Sequence, residues 1–331
     1  MGGALAAVGE RVTFLVRPAK ADLIRTNGIS ISGAICARSV PVPRVTTDLP
    51  SALADDTYDL IILAVKSFHT SAAAKALQSA SSQPPPVLCL QNGVDNETLL
   101  ADALGMDHVI PGTLTTAVSS PEAGVMVVEK DRGIGLAAGH PLSLQILQAF
   151  TAAGFRTLLY PNARAMKWSK LLTNLLANAS AAICDLSPAA VFAHDRLFQL
   201  EITALRETLA VMRGKGLPVV RLPGTPSHWL GFALRRLPTW SYRGLLARNV
   251  ASGRGGKLPS LHVDLAAQRG NSEVNFLNGA VARHAEALGI AAPVNRRIAH
   301  LLAAIVSGET PWDHYRANPD RLADQLLSGD F

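Results

Sequence analysis

The chain has 331 residues, of which 48% are hydrophobic and 17% are charged, so it is long enough for two domains and too apolar for global disorder. Its net charge of +6 is modest for this length and comes with no concentrated basic patch interleaved with aromatic residues, which argues against a nucleic-acid partner. No apolar run reaches the roughly 20 residues of a membrane-spanning helix, so no membrane partner is expected.

The first part of the chain alternates helix-like and strand-like segments. MGGALAAVG predicts a helix that ends at Gly9, and the β-branched, apolar run Val12–Val16 predicts a strand that Arg17 directly follows. The next predicted segments are, in order, a short helix at Asp22–Arg25, a strand at Ile29–Ser32 and a turn-rich stretch at Pro41–Pro50.

Further strands are predicted where apolar runs of strand length recur, at Asp59–Val65, Val87–Leu90, Val109–Thr116 and Phe155–Tyr160. Val125–Val128 and Ile134–Ala137 are predicted to pair with each other as a hairpin. Strands that alternate with helical stretches predict βαβ units, and hence an α/β fold with a parallel, Rossmann-type sheet.

Three polar residues directly follow predicted strands: Arg17, Lys66 and Asn92, the last within Gln91-Asn92-Gly93. Ligands of open parallel sheets bind beyond the carboxyl ends of the strands, so these residues are expected on one rim. The second strand of NAD-binding folds usually ends in an acid for the ribose 2′-hydroxyl, whereas an arginine suits the 2′-phosphate of NADP. The alternative for Arg17 is a solvated side chain at a strand end.

The phosphate-binding loop of a dinucleotide fold is missing from the predicted pattern. Such a fold opens with a strand and a G-x-G-x-x-G loop, but Gly2-Gly3 already belong to the first predicted helix. We therefore expect a truncated gene model that begins inside the first Rossmann helix and is poorly stable as written. In the strand order 3-2-1-4-5-6, loss of strand one leaves strands two and four with unpaired inner edges.

The second half is predicted to be almost wholly helical. Residues 1–161 are therefore assigned to the Rossmann-type domain and residues 162–331 to an all-α domain. Helices are predicted at Ala163–Ile183, from Ser187-Pro188, at Leu197–Arg213, at Trp229–Arg236, at Tyr242–Val250, from Ser272 to Leu288, at Pro293–Val306 and at Trp312–Leu327. A stretch rich in Pro, Gly, Trp and Arg lies between Pro218 and Pro259, and its basic loop at 253–257 is predicted to be a mobile connection.

The predicted helix at MKWSKLLTNLLANAS carries one polar stripe in an otherwise apolar surface. Lys170, Asn174 and Asn178 stand at i, i+4 and i+8, which places them on a single helix face. Asparagine is a poor helix former, so two of them below a lysine suggest a row that faces a pocket. A solvated stripe on a surface helix is the alternative, and the spacing alone does not decide between the two.

Cysteine usage indicates the compartment. Cys36, Cys89 and Cys184 are widely spaced, and no CxxC pair or histidine cluster accompanies them. They predict free thiols in a reducing cytoplasm and no metal site.

Several motifs, in this order along the chain, resemble those of the ketopantoate reductases (2-dehydropantoate 2-reductases). They are GxxVTxLxR near the start, VKS after one strand, QNG after the next, then WxKLLxNxxxN, PSxxxDxxxxRxxxEVxxLNG and PVN. The resemblance covers essentially the whole chain. It implies a Rossmann domain, a helical domain and an active site in the cleft between them, where NADPH reduces ketopantoate to pantoate on the route to pantothenate and coenzyme A.

The resemblance also implies roles for individual residues, as follows: Lys170 as the catalytic lysine; Asn92, Asn174, Asn178 and Ser260 as substrate contacts; and Arg17, Lys66, Asn92, Ala117 and Glu273 as contacts of NADP(H) or the pocket. Glu273 is expected to pair with Lys170. A further substrate asparagine of the family has no counterpart, because that neighbourhood reads Asp185-Leu186-Ser187-Pro188.

The implied reaction needs a proton as well as a hydride. Negative charge builds on the ketone oxygen, and a lysine close to it stabilises the charge and donates the proton. Two other readings stay open: a related NADP-dependent oxidoreductase of another 2-oxo or 3-hydroxy acid, and a non-catalytic, degenerate nucleotide-binding homologue. The resemblance also leaves a homodimer open.

Overall fold

A computed structural model describes residues 1–253 and 258–327 of the protein. Eleven strands are described, namely β1 (Thr13–Leu15), β2 (Ile29–Gly33), β3 (Arg38–Val40), β4 (Arg44–Thr46), β5 (Ile61–Leu63), β6 (Val87–Cys89), β7 (Val109–Leu114), β8 (Ala117–Ser119), β9 (Val125–Lys130), β10 (Ile134–Ala137) and β11 (Thr157–Tyr160). All of them precede residue 161, so the strands are confined to the first half, as predicted.

The Rossmann-type sheet is in two parts. Strand β1 pairs in parallel with β4, and a five-stranded sheet has the order β11-β10-β7-β6-β5, in which β5, β6 and β7 are parallel. Within the described residues β1 pairs with β4 alone and β5 pairs with β6 alone, so each of these two strands has one edge without a partner strand. Leu15 and Val65, at the ends of these strands, are 51% and 40% exposed. The strand predicted at Asp59–Val65 is shorter, at Ile61–Leu63, and its first two residues are only partly buried, whereas every residue of β6 is fully buried.

A second, four-stranded sheet has the order β3-β2-β9-β8. The predicted hairpin of Val125–Val128 with Ile134–Ala137 is wrong, because β9 pairs with β2 and β8, whereas β10 pairs with β7 and β11. Strand β4 lies inside the stretch Pro41–Pro50 that was predicted as turns. An apolar run indicates that a strand forms, but it does not specify which strand becomes its partner.

Six helices accompany these strands: α1 (Gly2–Ala6), α2 (Pro18–Asn27), α3 (Leu49–Asp55), α4 (Thr70–Ala80), α5 (Asn96–Leu104) and α6 (Ser143–Ala152). Short 3₁₀ turns occupy Ser67–His69 and Met106–His108. Leu88, Ile110, Ile134 and Leu136 are fully buried beneath Phe150 of α6, and they form the core of this half. The first half is thus an α/β, Rossmann-like unit.

The second half consists of helices. They are α7 (Ala163–Leu175), α8 (Ala179–Cys184), α9 (Pro188–Ala193), α10 (Asp195–Gly214), α11 (Ser227–Arg236), α12 (Thr239–Gly253), α13 (Ser260–Ala266), α14 (Asn278–Glu286), α15 (Pro293–Ser307) and α16 (Pro319–Leu327), with 3₁₀ turns at Glu273–Phe276 and Trp312–His314. The predicted Ser187 cap is confirmed, since its side chain accepts from the Ala190 amide with Pro188 at the first helical position. Most of the predicted basic loop, residues 254–257, lies outside the described residues. The domain boundary at 161/162 stays a prediction.

Candidate functional site

The Gln91-Asn92-Gly93 turn follows β6 at the carboxyl end of the sheet. The backbone carbonyl of Asn92 accepts from Ser67 Oγ at 2.9 Å and from Asn96 Nδ2 at 2.6 Å. Gly93 has φ +93°, and a Cβ atom there would lie 3.0 Å from the carbonyl oxygen of Phe276, which belongs to the helical half. The turn is therefore fixed from both sides, and glycine is the residue that fits it.

Lys66 lies at the centre of a charged cluster that joins the two halves. Its Nζ is 2.9 Å from Asp264 Oδ2 and 2.9 Å from Glu273 Oε2. Glu273 is only 3% exposed, and its other carboxylate oxygen accepts from the amide and the hydroxyl of Ser67. Burial alone would lower the pKa of Lys66, but the carboxylates of Glu273 and Asp264 outweigh it and raise that pKa. Lys66 is thus held as an ammonium ion.

Two of the predicted site residues, Lys66 and Glu273, meet in this cluster. The third member, Asp264, was not predicted as a site residue. It stands in the PSxxxD motif, and this was the available signal, because a carboxylate one turn after a predicted site serine lies on the same helix face. Asp264 is buried and also binds Arg269 Nη1 at 2.7 Å.

Helix α7 brings Lys170 and Asn174 to the rim of the sheet. Its first turn is capped by Asn162, whose side chain accepts from the Ala165 amide at 2.8 Å. Asn174 donates from Nδ2 to Oδ1 of Asn92 at 2.9 Å, so a predicted asparagine of each half contacts the other. Lys170 is half-buried, one turn before Asn174 on the same helix.

The predicted continuous helix Ala163–Ile183 is wrong. Helix α7 ends at Leu175, Ala177 has φ +43°, and Asn178 stands at the start of α8. Lys170 and Asn174 therefore share one helix face, but Asn178 does not continue that row. It is instead buried against α13, where its Oδ1 accepts from the amide of Leu261 at 3.3 Å. Leu261 directly follows the predicted site residue Ser260, which begins α13.

Arg17 and Ala117 lie on elements other than those of the Lys66 cluster. Arg17 precedes α2 at the carboxyl end of β1, and its Nη2 is 3.4 Å from Nε2 of His69. His69 ends the 3₁₀ turn that directly follows Lys66, so this contact links the ends of β1 and β5. Ala117 begins β8 just beyond the end of β7, and its backbone pairs with Lys130.

Lys167 is a buried cation that the sequence patterns did not single out. It is 4% exposed, and its Nζ donates to the carbonyl oxygens of Gln91 at 2.7 Å and Gly112 at 3.1 Å. Glu97 Oε1 of α5 lies 2.7 Å from the same nitrogen. Burial would lower the pKa of Lys167, but the Glu97 carboxylate outweighs it and raises that pKa. One turn before Lys170, this pair attaches α7 to α5, and the two carbonyl bonds attach it to the turn that follows β6 and to β7.

The stretch that lacks the family's further asparagine has other contacts. Asp185 binds Nε2 of His262 at 2.7 Å and the guanidinium of Arg316 at 2.8 Å. The bond from Arg316 is the chief reason why the pKa of Asp185 lies below its ordinary value. Ser187 caps α9. Asp185 and Ser187 thus bind other groups of the protein, and neither supplies the carboxamide of the family's further asparagine.

Two absences hold for the residues that the structure describes, 1–253 and 258–327. No three His, Cys, Asp or Glu side chains there are grouped so that they could hold a metal ion. No helix in those ranges is long and apolar enough to cross a membrane.

Comparison with known proteins identifies relatives over nearly the whole chain. The 2-dehydropantoate 2-reductase of Halobacterium salinarum is 29% identical over 311 residues, 91% of this chain and 93% of that protein. The crystal structure of a PanE/ApbA family ketopantoate reductase from Ralstonia eutropha JMP134 is 27% identical, with a TM-score of 0.76 over 93% of this chain and 94% of that one. A ternary structure of D-mandelate dehydrogenase with NADH and anilino(oxo)acetate has a TM-score of 0.73 over 93% of this chain and 94% of that one, but only 17% identity, so it shows a shared fold alone.

Two family models match the chain. One, described as "Ketopantoate reductase PanE/ApbA", matches residues 1–139, and the other, "Ketopantoate reductase PanE/ApbA C terminal", matches residues 162–306. Together they cover most of the sequence, in the order of the two halves described above. The chain belongs to the ketopantoate reductase family of oxidoreductases.

Proposed function

We propose that the protein reduces 2-dehydropantoate to pantoate with NADPH, and that Lys170 is the proton donor. The observation that carries this proposal is the contact between Asn174 and Asn92. It joins the helix that bears Lys170 to the turn at the carboxyl end of β6, where an open α/β sheet binds its ligands. The cleft so formed combines a cation with carboxamides, which suits an anionic 2-oxo acid.

A nicotinamide dinucleotide is the cofactor we propose, in its phosphorylated form. The ends of β1 and β5 fit its 2′-phosphate end, because the guanidinium of Arg17 stands there as a charged hydrogen-bond donor, with Nε2 of His69 3.4 Å from its Nη2 as the acceptor. Lys66, Ala117 and Glu273 are proposed to contact other parts of the cofactor. When bound, the cofactor supplies the hydride.

The chain's own residues supply the proton and the orientation. The Lys170 ammonium stabilises the negative charge that grows on the carbonyl oxygen and then gives its proton to that oxygen. Asn174 and Asn178 hold hydroxyl and carboxylate groups of the substrate without adding charge, and the Ser260 hydroxyl donates to a carboxylate oxygen. The Glu273–Lys66 pair supports the rim next to them, because it ties the 3₁₀ turn at Glu273 to the end of β5. Enclosure between the two halves excludes water.

Steady-state kinetics with ketopantoate and a panel of other 2-oxo acids tests the proposed substrate, and fluorescence titration tests NADPH binding.

Lys170→Ala should lower kcat by about 10²–10⁴-fold, the usual range for a positioned acid, with little change in NADPH affinity. Lys75→Ala, on the exposed face of α4, is the matched control and should keep full activity. Near-normal turnover by Lys170→Ala contradicts the assignment, and preference for another 2-oxo acid contradicts the substrate. A protein that does not bind NADPH at all fits the degenerate homologue. A homodimer stays a prediction that sedimentation can test.

A further inference from the structure

The break between α7 and α8 is held by a buried carboxylate from a third helix. Glu201 of α10 is only 4% exposed. Its Oε2 accepts from the backbone amide of Ala177 at 2.7 Å, and its Oε1 accepts from the hydroxyl of Ser180 at 2.5 Å. A buried carboxylate without such donors is strongly unfavourable. These bonds therefore stabilise both the buried Glu201 side chain and the break between α7 and α8.

The bonds of Glu201 stabilise a backbone conformation that alanine seldom adopts. Ala177 has φ +43°, in the left-handed region where a Cβ atom is unfavourable. Leu176 before it has ψ 111°, so the helix cannot continue through these two residues. The carboxylate binds the Ala177 amide that this turn removes from the helical hydrogen-bond pattern, and it binds Ser180 in the first turn of α8.

The break decides where Asn178 lies. In an uninterrupted helix Asn178 would stand one turn beyond Asn174 on the same face. With the break, its side chain reaches α13 and accepts from the Leu261 amide, next to Ser260. Asn174 remains on α7, in contact with Asn92. Two carboxamides of one sequence motif are thus directed to two different parts of the cleft.

We propose that Glu201 is a positioning residue for the 2-oxo acid substrate: by binding Ala177 and Ser180 it fixes the break that places Asn178 beside Ser260 at a set distance from Lys170 and Asn174. The inference rests on the proposed function, since it concerns residues assigned there to the substrate. Glu201 itself contacts no substrate in this scheme. It acts through the backbone of the break.

The same helix provides a matched control. Glu207 of α10 is also buried, and its carboxylate likewise accepts backbone amides, from Val294 and Asn295 at 2.9 Å each. These bonds are made to the start of α15, and neither of them involves a residue of the α7–α8 break. Glu207→Leu therefore removes a buried, amide-binding carboxylate without touching the break.

The test compares KM for ketopantoate, kcat and the Kd of NADPH among variants of the full chain. Glu201→Leu should raise KM at least tenfold and leave the NADPH Kd within twofold of wild type, whereas Glu207→Leu should leave KM within twofold. Glu201→Gln should stay close to wild type, because the amide oxygen of glutamine can accept from the Ala177 amide while its amide nitrogen donates to Ser180 Oγ. Adding Ala177→Gly to Glu201→Leu should reverse part of the rise in KM, since glycine adopts a positive φ without strain.

Each result decides. Wild-type protein that reduces ketopantoate, together with an unchanged KM in folded Glu201→Leu, overturns the positioning role alone. A rise in KM matched by an equal rise in the NADPH Kd also overturns it, because that is a general loosening of the fold. If Glu201→Leu does not fold, Ser180→Ala takes its place, with an expected threefold rise in KM, and an unchanged KM there overturns the proposal. Wild-type protein that reduces no 2-oxo acid overturns the proposed function and this inference together.

Discussion

Arg17, at the end of β1, presents a guanidinium group next to His69, where we propose that the phosphorylated ribose of NADPH binds. We expect Arg17→Ala to raise KM for NADPH by about tenfold or more, because charge-assisted hydrogen bonds to phosphate are worth about 1.5–3 kcal/mol. KM for NADH should hardly change, since NADH has no 2′-phosphate. Arg25→Ala, in helix α2, which directly follows Arg17, is the control, since Arg25 is paired with Asp22 at 2.9 Å. An equal loss with both cofactors contradicts this role for Arg17.

Single residues also show which parts of the candidate site could be predicted from the sequence. Lys170 and Asn174 were predicted from spacing to share one helix face, because that relation is local, and they were predicted as site residues from the family resemblance. Glu201, Lys167 and Asp264 were not, because each is defined by a partner far along the chain: Glu201 binds Ala177 across 24 residues, and Lys66 binds Asp264 across 198. The role of a buried charged residue depends on the residue with which it pairs, and local sequence patterns do not show which residue that is.

Among the connecting elements, the turn at Gly93 makes the sharpest test of packing between the two halves. Gly93→Ala should destabilise the protein by about 1–2 kcal/mol from the positive φ alone. It should lose more from contact with the Phe276 carbonyl, which a Cβ atom would approach to 3.0 Å. Since Asn92 precedes the turn, KM for the substrate should rise as well.

Gly105→Ala separates these two causes. Gly105 has φ +89°, close to that of Gly93, but the nearest atom to a Cβ atom there is His108 Cδ2 at 3.9 Å. Gly105→Ala should therefore show the loss of stability that comes from the positive φ, without the rise in KM. Urea unfolding measures the stability of both variants, and steady-state kinetics measures KM. Equal stability losses together with equal KM values contradict the importance of the Phe276 contact.

For the secondary-structure elements, the sequence predicted where helices and strands form better than it predicted which strands pair. Most strands and helices lie near their predicted positions, since apolar periodicity and the Ser187-Pro188 start signal are local. The hairpin failed because β9 and β10, although adjacent in the chain, join different sheets. The helix through Asn178 failed because its break depends on Glu201, and nothing between Ala163 and Ile183 marks it with glycine or proline.

On the scale of the whole molecule, the buried Lys167–Glu97 pair should govern how the helical half is attached to the Rossmann-like half. Lys167→Met leaves a largely buried carboxylate without its cation, so it should destabilise the protein by about 3–5 kcal/mol. Replacing Glu97 with Met as well removes that uncompensated charge and should recover most of the loss. The Gln91 and Gly112 carbonyls, which Lys167 also binds, still lack their donor, at about 1–3 kcal/mol.

Asp95 provides the comparison for a more exposed set of charges between the same two halves. It binds Arg283 and His284 of α14 at 2.8 and 2.7 Å, but the Arg283 side chain is 54% exposed. Asp95→Asn should therefore cost only about 0–1 kcal/mol. Urea midpoints for the single and double variants, interpreted at constant m-value, give the coupling between Lys167 and Glu97. If Lys167→Met is no more destabilising than Asp95→Asn, the attachment of the two halves depends on apolar packing, and the buried charges have only a local effect.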